Sequence, residues 1–90
     1  MQEKSNMRKA TLILLHTDDG GRKSPILSGY RPHFIFENDP ATDGRIETEL
    51  SIAQGETYLV TIKFIREPSE TATKFNVMEG NRIVGTGKLL

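Results

Sequence analysis

Cysteine is absent from the chain, and so is tryptophan. The first absence excludes disulfides, thiolate metal sites and cysteine nucleophiles. The second leaves Phe34, Phe36, Phe64, Phe75, Tyr30 and Tyr58 to supply much of the core of a sequence only 36% apolar. Each is worth roughly 1.5–3 kcal/mol if fully buried. An excess of one charge is also missing, since 12 basic and 12 acidic residues cancel. A dedicated nucleic-acid binder carries a basic excess to neutralise phosphates, so only a local basic patch is left for that role. No apolar run approaches the ~18 residues that span a membrane. The N-terminal MQEKSNMRKA has no apolar segment after its charges and is not a signal peptide. The expected compartment is the cytoplasm. Ninety residues make one domain, burying about 60–65% of its unfolded surface and leaving a thin stability margin.

What is present is β-strand signal cut by turn residues. Residues 1–8 read as a polar, flexible tail, with Met7 an alternative start to Met1. Thr11 to Leu15 is β-branched and aliphatic, the signature of a strand buried on both faces or nearly so. Thr17 to Gly21 ends it. Arg22 to Gly29 reads as loop around Pro25, and His33 to Glu37 as a second strand. Asn38-Asp39-Pro40 and Thr42-Asp43-Gly44 read as turns in quick succession. Arg45 to Ser51 alternates, with Ile46, Thr48 and Leu50 on one side. Thr57 to Ile65 carries the longest β pattern, with Tyr58, Val60, Ile62 and Phe64 on one face. After a break around Pro68, Lys74 to Glu79 places Phe75 and Val77 inward. Gly80-Asn81 reads as a two-residue hairpin loop, since both residues tolerate positive φ. Arg82 to Leu90 closes the chain, and Gly85 and Gly87 suit a strand lying close under a neighbouring backbone. No 3.6-residue apolar period is sustained anywhere. Six short strands between Gly, Pro and Asp turns imply an all-β antiparallel barrel or sandwich, with a closed barrel favoured because it hides strand edges.

Two motifs carry a family resemblance. Gly20 to Phe36, GGRKSPILSGYRPHFIF, resembles the opening of the third, C-terminal domain of bacterial elongation factor Tu, where the pattern is GGR-[HK]-[TS]-P-x-x-x-GYRPQFYF. FNVMEGNRIVGTGKLL, from Phe75 to Leu90, resembles RFAIREGGRTVGAGVV near that domain's end. The resemblance spans about Lys9 to Leu90 and implies a six-stranded antiparallel Greek-key β-barrel over residues 9–90. It implies a stand-alone homologue, for in the full factor this domain follows a GTPase domain and another barrel. Gly20-Gly21-Arg22-Lys23-Ser24 lacks the G-x-x-x-x-G-K-[ST] spacing of a phosphate loop, so no nucleotide is expected.

In that family the domain helps hold the T arm of aminoacyl-tRNA and contacts the GTPase domain and the nucleotide-exchange factor. Carried over position by position, the resemblance implies binding roles for Gly21, Arg22, Arg31, His33, Thr42, Arg66, Glu79 and Gly80. His33 takes the place of the Gln after GYRP, and Arg66 that of a Lys. The family's basic RTTDVTG becomes ENDPATDG here, so Glu37, Asp39 and Asp43 put negative charge beside the presumed phosphate track. A protein partner, translation-related, is therefore expected ahead of tRNA.

Plainer readings stand beside these. Arg22, Lys23 and Arg31 serve equally well to anchor neighbouring loops. His16 and His33 have no companions at metal-ligand spacing, and Asp18-Asp19 and Asp39/Asp43 lack the alternation of a cation loop. Ser24 and Ser28 have no base in sequence reach. No enzyme, cofactor or metal is expected.

Overall fold

The computed structural model describes residues 6–16 and 24–90. Six strands form among them: β1 Met7–Leu14, β2 His33–Phe36, β3 Thr42–Glu47, β4 Thr57–Phe64, β5 Lys74–Glu79 and β6 Arg82–Leu89. They close into an antiparallel barrel in the order β1-β4-β3-β2-β5-β6, with β6 returning to β1. Strands β2, β3 and β4 are sequential neighbours and β1 lies beside β4, which is a Greek key. Closure leaves no strand edge open, as the sequence pattern implied.

Period-2 alternation fills the interior. Leu12 and Leu14 of β1, Val60, Ile62 and Phe64 of β4, and Phe75 and Val77 of β5 all point inward. Four phenylalanines form the densest part of the core. Phe34 and Phe36 each contact both Phe64 and Phe75, with ring centroids 5.2–5.9 Å apart and mostly edge-to-face. Such pairs add about 0.5–1.5 kcal/mol beyond their area. They hold β2, which has only four residues and meets β3 at two register pairs. The two tyrosines stand at the margin, partly buried against this core.

The closing strand depends on missing side chains. A Cβ on Gly85 would lie 2.8 Å from the backbone oxygen of Ile13. A Cβ on Gly87 would overlap the backbone oxygen of Thr11 and the Phe75 ring, whose Cε1 would be 2.7 Å away. The expected close approach of backbones is therefore present at both positions. Between the two motif positions Val77 and Met78 the register shifts, so Val84 and Gly85 are both buried in succession.

Several expectations need correcting. β1 begins at Met7, where it pairs with Lys63, four residues before the expected start at Thr11 and within the expected tail, and it ends at Leu14 rather than Leu15. It is not buried on both faces: Thr11 is half-buried and Ile13 is 37% exposed on the outer face. β3 lies three residues earlier than Arg45–Ser51. Thr42-Asp43-Gly44 is strand rather than turn, because β2 and β4 supply ladder partners on either side. Gly44 is there for space: its Cβ would sit 3.0 Å from the Phe34 ring and 3.1 Å from the Lys63 oxygen. Thr48 and Leu50 fall outside β3, and Leu50 is exposed. At the last hairpin only Gly80 has positive φ, at 61°; among the described residues no non-glycine residue does, Asn81 included.

Candidate functional site

The segment Gly29-Tyr30-Arg31-Pro32 is the hinge between the irregular run after Ser24 and β2. Gly29 turns it at φ 96°; the Tyr30 carbonyl accepts from the Ile46 N–H, and the Ile46 carbonyl accepts from the Gly29 N–H. This fixes the Tyr30 side chain at the rim of the core, with its polar end toward the last hairpin. The phenolic hydroxyl donates to Oε2 of Glu79. Glu79 also receives Nη2 of Arg82 on its other oxygen, at 3.2 Å. The two sequence motifs are thus joined side chain to side chain across 49 positions of sequence.

β2 extends this contact along the barrel. His33 stands opposite Met78 on one side and Asp43 on the other. Its Nδ1 donates to Oδ1 of Asp43, and both side chains are 57% exposed. The backbone oxygen of Asp43 accepts from Ile65 at 2.9 Å, which brings the end of β4 alongside. There the backbone N–H of Arg66 donates to Thr42 Oγ1 at 3.3 Å. The Arg66 guanidinium donates through Nη2 to the carbonyls of Pro40 and Ala41, at 2.9 and 3.2 Å. Its Nη1 lies 3.9 Å from the nearly buried carboxylate of Asp39, which also accepts from the Ser69 backbone.

Of the sequence-derived positions, Arg31, His33, Arg66, Glu79 and Gly80 therefore lie along one strip that runs from the hairpin tip to the loop after β4. Gly80 is exposed at the tip, with open space where a Cβ would be. Thr42 belongs to the same neighbourhood but is buried, 7% exposed, and its hydroxyl is spent on backbone partners. Gly21 and Arg22, with Lys23 and the Asp18-Asp19 pair, lie outside the described residues. Three residues that organise the strip carried no such role in the sequence reading: Tyr30, Asp43 and Asp39. Tyr30 alone had a usable signal, since a tyrosine packed at a core margin needs a partner for its hydroxyl.

Beside the strip is a hollow of about 470 Å³ bounded by Arg31, Asp43, Arg45, Lys63 and Ile65. Arg45 is neutralised by Glu47, whose Oε2 takes both Nε and Nη2, at 3.1 and 2.7 Å. Ile65 is 75% exposed. Charges of both signs and bare aliphatic surface are interleaved there. Among the described residues no group of three or more metal-ligating side chains converges, and no helix is long and apolar enough to cross a membrane.

The family model of the elongation factor Tu C-terminal domain matches residues 2–90. The chain belongs to that family. With its six-stranded barrel, the chain is a translation-factor-like module. The elongation factor Tu C-terminal domain family is thus established for essentially the whole sequence.

Proposed function

We propose that this elongation factor Tu C-terminal-type domain is a non-enzymatic binding module. It docks on a protein partner of the translation apparatus through the strip formed by Arg31, His33, Asp43 and the Glu79-Gly80 tip. The observation that carries the reading is the Tyr30–Glu79 hydrogen bond, which holds the two family motifs as one surface. The chemistry of that surface supports protein over RNA. His33 is engaged by a carboxylate, and Arg66 is committed to loop carbonyls and Asp39. A translation role places the module in the cytoplasm.

The alternative reading, direct contact with aminoacyl-tRNA, draws on Arg31 and Lys63. Both are exposed and line one hollow, and neither forms an ion pair among the described residues. Affinity capture from lysate, with and without nuclease, separates the two. Nuclease-resistant capture of an identified translation protein, lost in Arg31→Glu, supports protein docking. A gel shift with aminoacyl-tRNA at about 50 mM salt, where phosphate contacts are strong, that disappears in Lys63→Ala would overturn it in favour of RNA.

A further inference from the structure

Away from the strip, the outer face of β1, β2, β5 and β6 carries a groove of about 530 Å³. Lys74 and Lys88 sit in it, directly opposite each other in the β5–β6 ladder. Cross-strand partners hold their Cβ atoms about 4.5–5.5 Å apart, and like charges so placed oppose each other. Both lysines are exposed, and neither enters an ion pair among the described residues. One carboxylate lines the groove, Glu37, one position beyond the β2–β5 ladder and opposite Lys74 by register. It also joins no ion pair among the described residues. Two lysines and one glutamate leave the lining at a net charge of +1.

The rest of the groove is ordered by the ladders. Ile35, Asn76, Thr86 and Ile13 are successive register partners across four strands. The next row, Lys74, Lys88 and Thr11, lies two residues along, roughly 6.5–7 Å away. One row is capped at both ends by half-exposed isoleucines, at 37% and 44% exposure. The adjacent row presents two ammonium groups and a hydroxyl, with the Glu37 carboxylate beyond Lys74.

We propose that this groove is a second docking site, for an extended acidic segment of a partner protein whose carboxylate sits between Lys74 and Lys88 while aliphatic neighbours cover Ile13 and Ile35. Charge complementarity selects the occupant. A carboxylate bridging the lysines removes their mutual repulsion; Glu37, opposite Lys74 only and in no ion pair among the described residues, does not bridge them. A nucleic acid fits less well: Glu37 faces its phosphates, and the isoleucines offer no cation. The site is distinct from the motif strip, because Lys74 opens β5 and Lys88 nearly ends β6, whereas Gly80 lies at the other end of both strands.

The test is a chemical-shift titration of the full chain with a short peptide alternating glutamate and valine, its lysine-for-glutamate counterpart, and polyuridylate. The acidic peptide should shift resonances of Ile13, Ile35, Lys74, Asn76, Thr86 and Lys88. Its affinity should fall about tenfold or more in the double variant Lys74→Glu/Lys88→Glu, which turns two attractive charges into repulsive ones. Arg31→Glu should leave it unchanged. Lys88→Thr should raise Tm, because it removes an uncompensated repulsion. Absence of shifts in the groove, equal binding of the lysine peptide, tighter binding of polyuridylate there, or a lowered Tm for Lys88→Thr would each overturn the proposal.

Discussion

Tyr30 donates its phenolic hydrogen to Glu79 from a position 49 residues earlier in the chain. The bond links the hinge before β2 to the tip of the β5–β6 hairpin. Neither side chain is free to wander: Tyr30 rests against the core, and Glu79 is held from its other side by Arg82.

Loss of that hydroxyl should loosen the face and the domain together. Hydrogen bonds to charged groups contribute about 1.5–3 kcal/mol, and partial exposure puts Tyr30→Phe near the low end. Urea unfolding should show a stability loss of about 1–2 kcal/mol. A cycle with Glu79→Gln should show coupling of at least about 0.5 kcal/mol, the usual floor for contacting residues. Additive single and double variants would mean that the contact does not hold the hinge to the tip.

The glycines of β6 make a sharper prediction. Gly87→Ala forces a methyl into the Thr11 carbonyl and the Phe75 ring at once. Neither can yield cheaply, one being backbone and the other part of the four-ring core. Overpacking of this kind costs about 1–3 kcal/mol or more. Gly80→Ala meets no atom within 4 Å and carries only the left-handed φ penalty, about 1–2 kcal/mol. Thermal unfolding should therefore rank Gly87→Ala below Gly80→Ala in Tm, and the reverse order would contradict the close packing of β6 on β1.

Phe34 is the keystone of the aromatic quartet. It is fully buried and touches both Phe64 and Phe75. Phe34→Ala should cost about 3–5 kcal/mol, a large part of the roughly 5–15 kcal/mol that holds a domain together. It should also free β2, whose ladder with β3 is too short to keep it in place. Amide exchange at Ile35 and Phe36 should rise more than exchange in β1 or β4. Uniform acceleration across all strands would show instead that the quartet serves the whole barrel equally.

Much of this architecture was readable from residue order. β4 and the start of β5 alternate cleanly, so Tyr58 to Phe64 and Phe75 to Val77 declare their inner faces. What misled were segments whose partners lie far away. Met7 and Arg8 have a tail's composition and become strand because β4 supplies a ladder. Thr42-Asp43-Gly44 has a turn's composition and becomes strand because β2 and β4 flank it, with Gly44 making room for Phe34. Long-range pairing overrode local propensity at both places. At the site, the motif residues were legible, but their engagements were not. That His33 would meet Asp43, and Arg66 the 40–41 carbonyls, depends on β3 starting three residues early.

Arg66 provides the last prediction, because its geometry gives it a job inside the domain. One guanidinium nitrogen donates to two successive carbonyls, Pro40 and Ala41, while the other faces Asp39. Asp39 in turn accepts from Ser69, so the loop before β3 and the loop after β4 are tied into one unit. A planar fork can serve three acceptors in fixed directions, and a lysine ammonium on its flexible stem cannot reproduce that arrangement. Arg66→Lys should therefore behave like Arg66→Ala in limited proteolysis, with faster cleavage within residues 37–41 and 66–72. The global unfolding free energy should change by less than about 1 kcal/mol, because Arg66 is itself half-exposed and its ionic contact with Asp39 is long, at 3.9 Å. Asp39→Asn should produce the same cleavage pattern. If Arg66→Lys protected the loops as well as the native residue does, charge alone would suffice, and Arg66 would be available to an incoming partner after all.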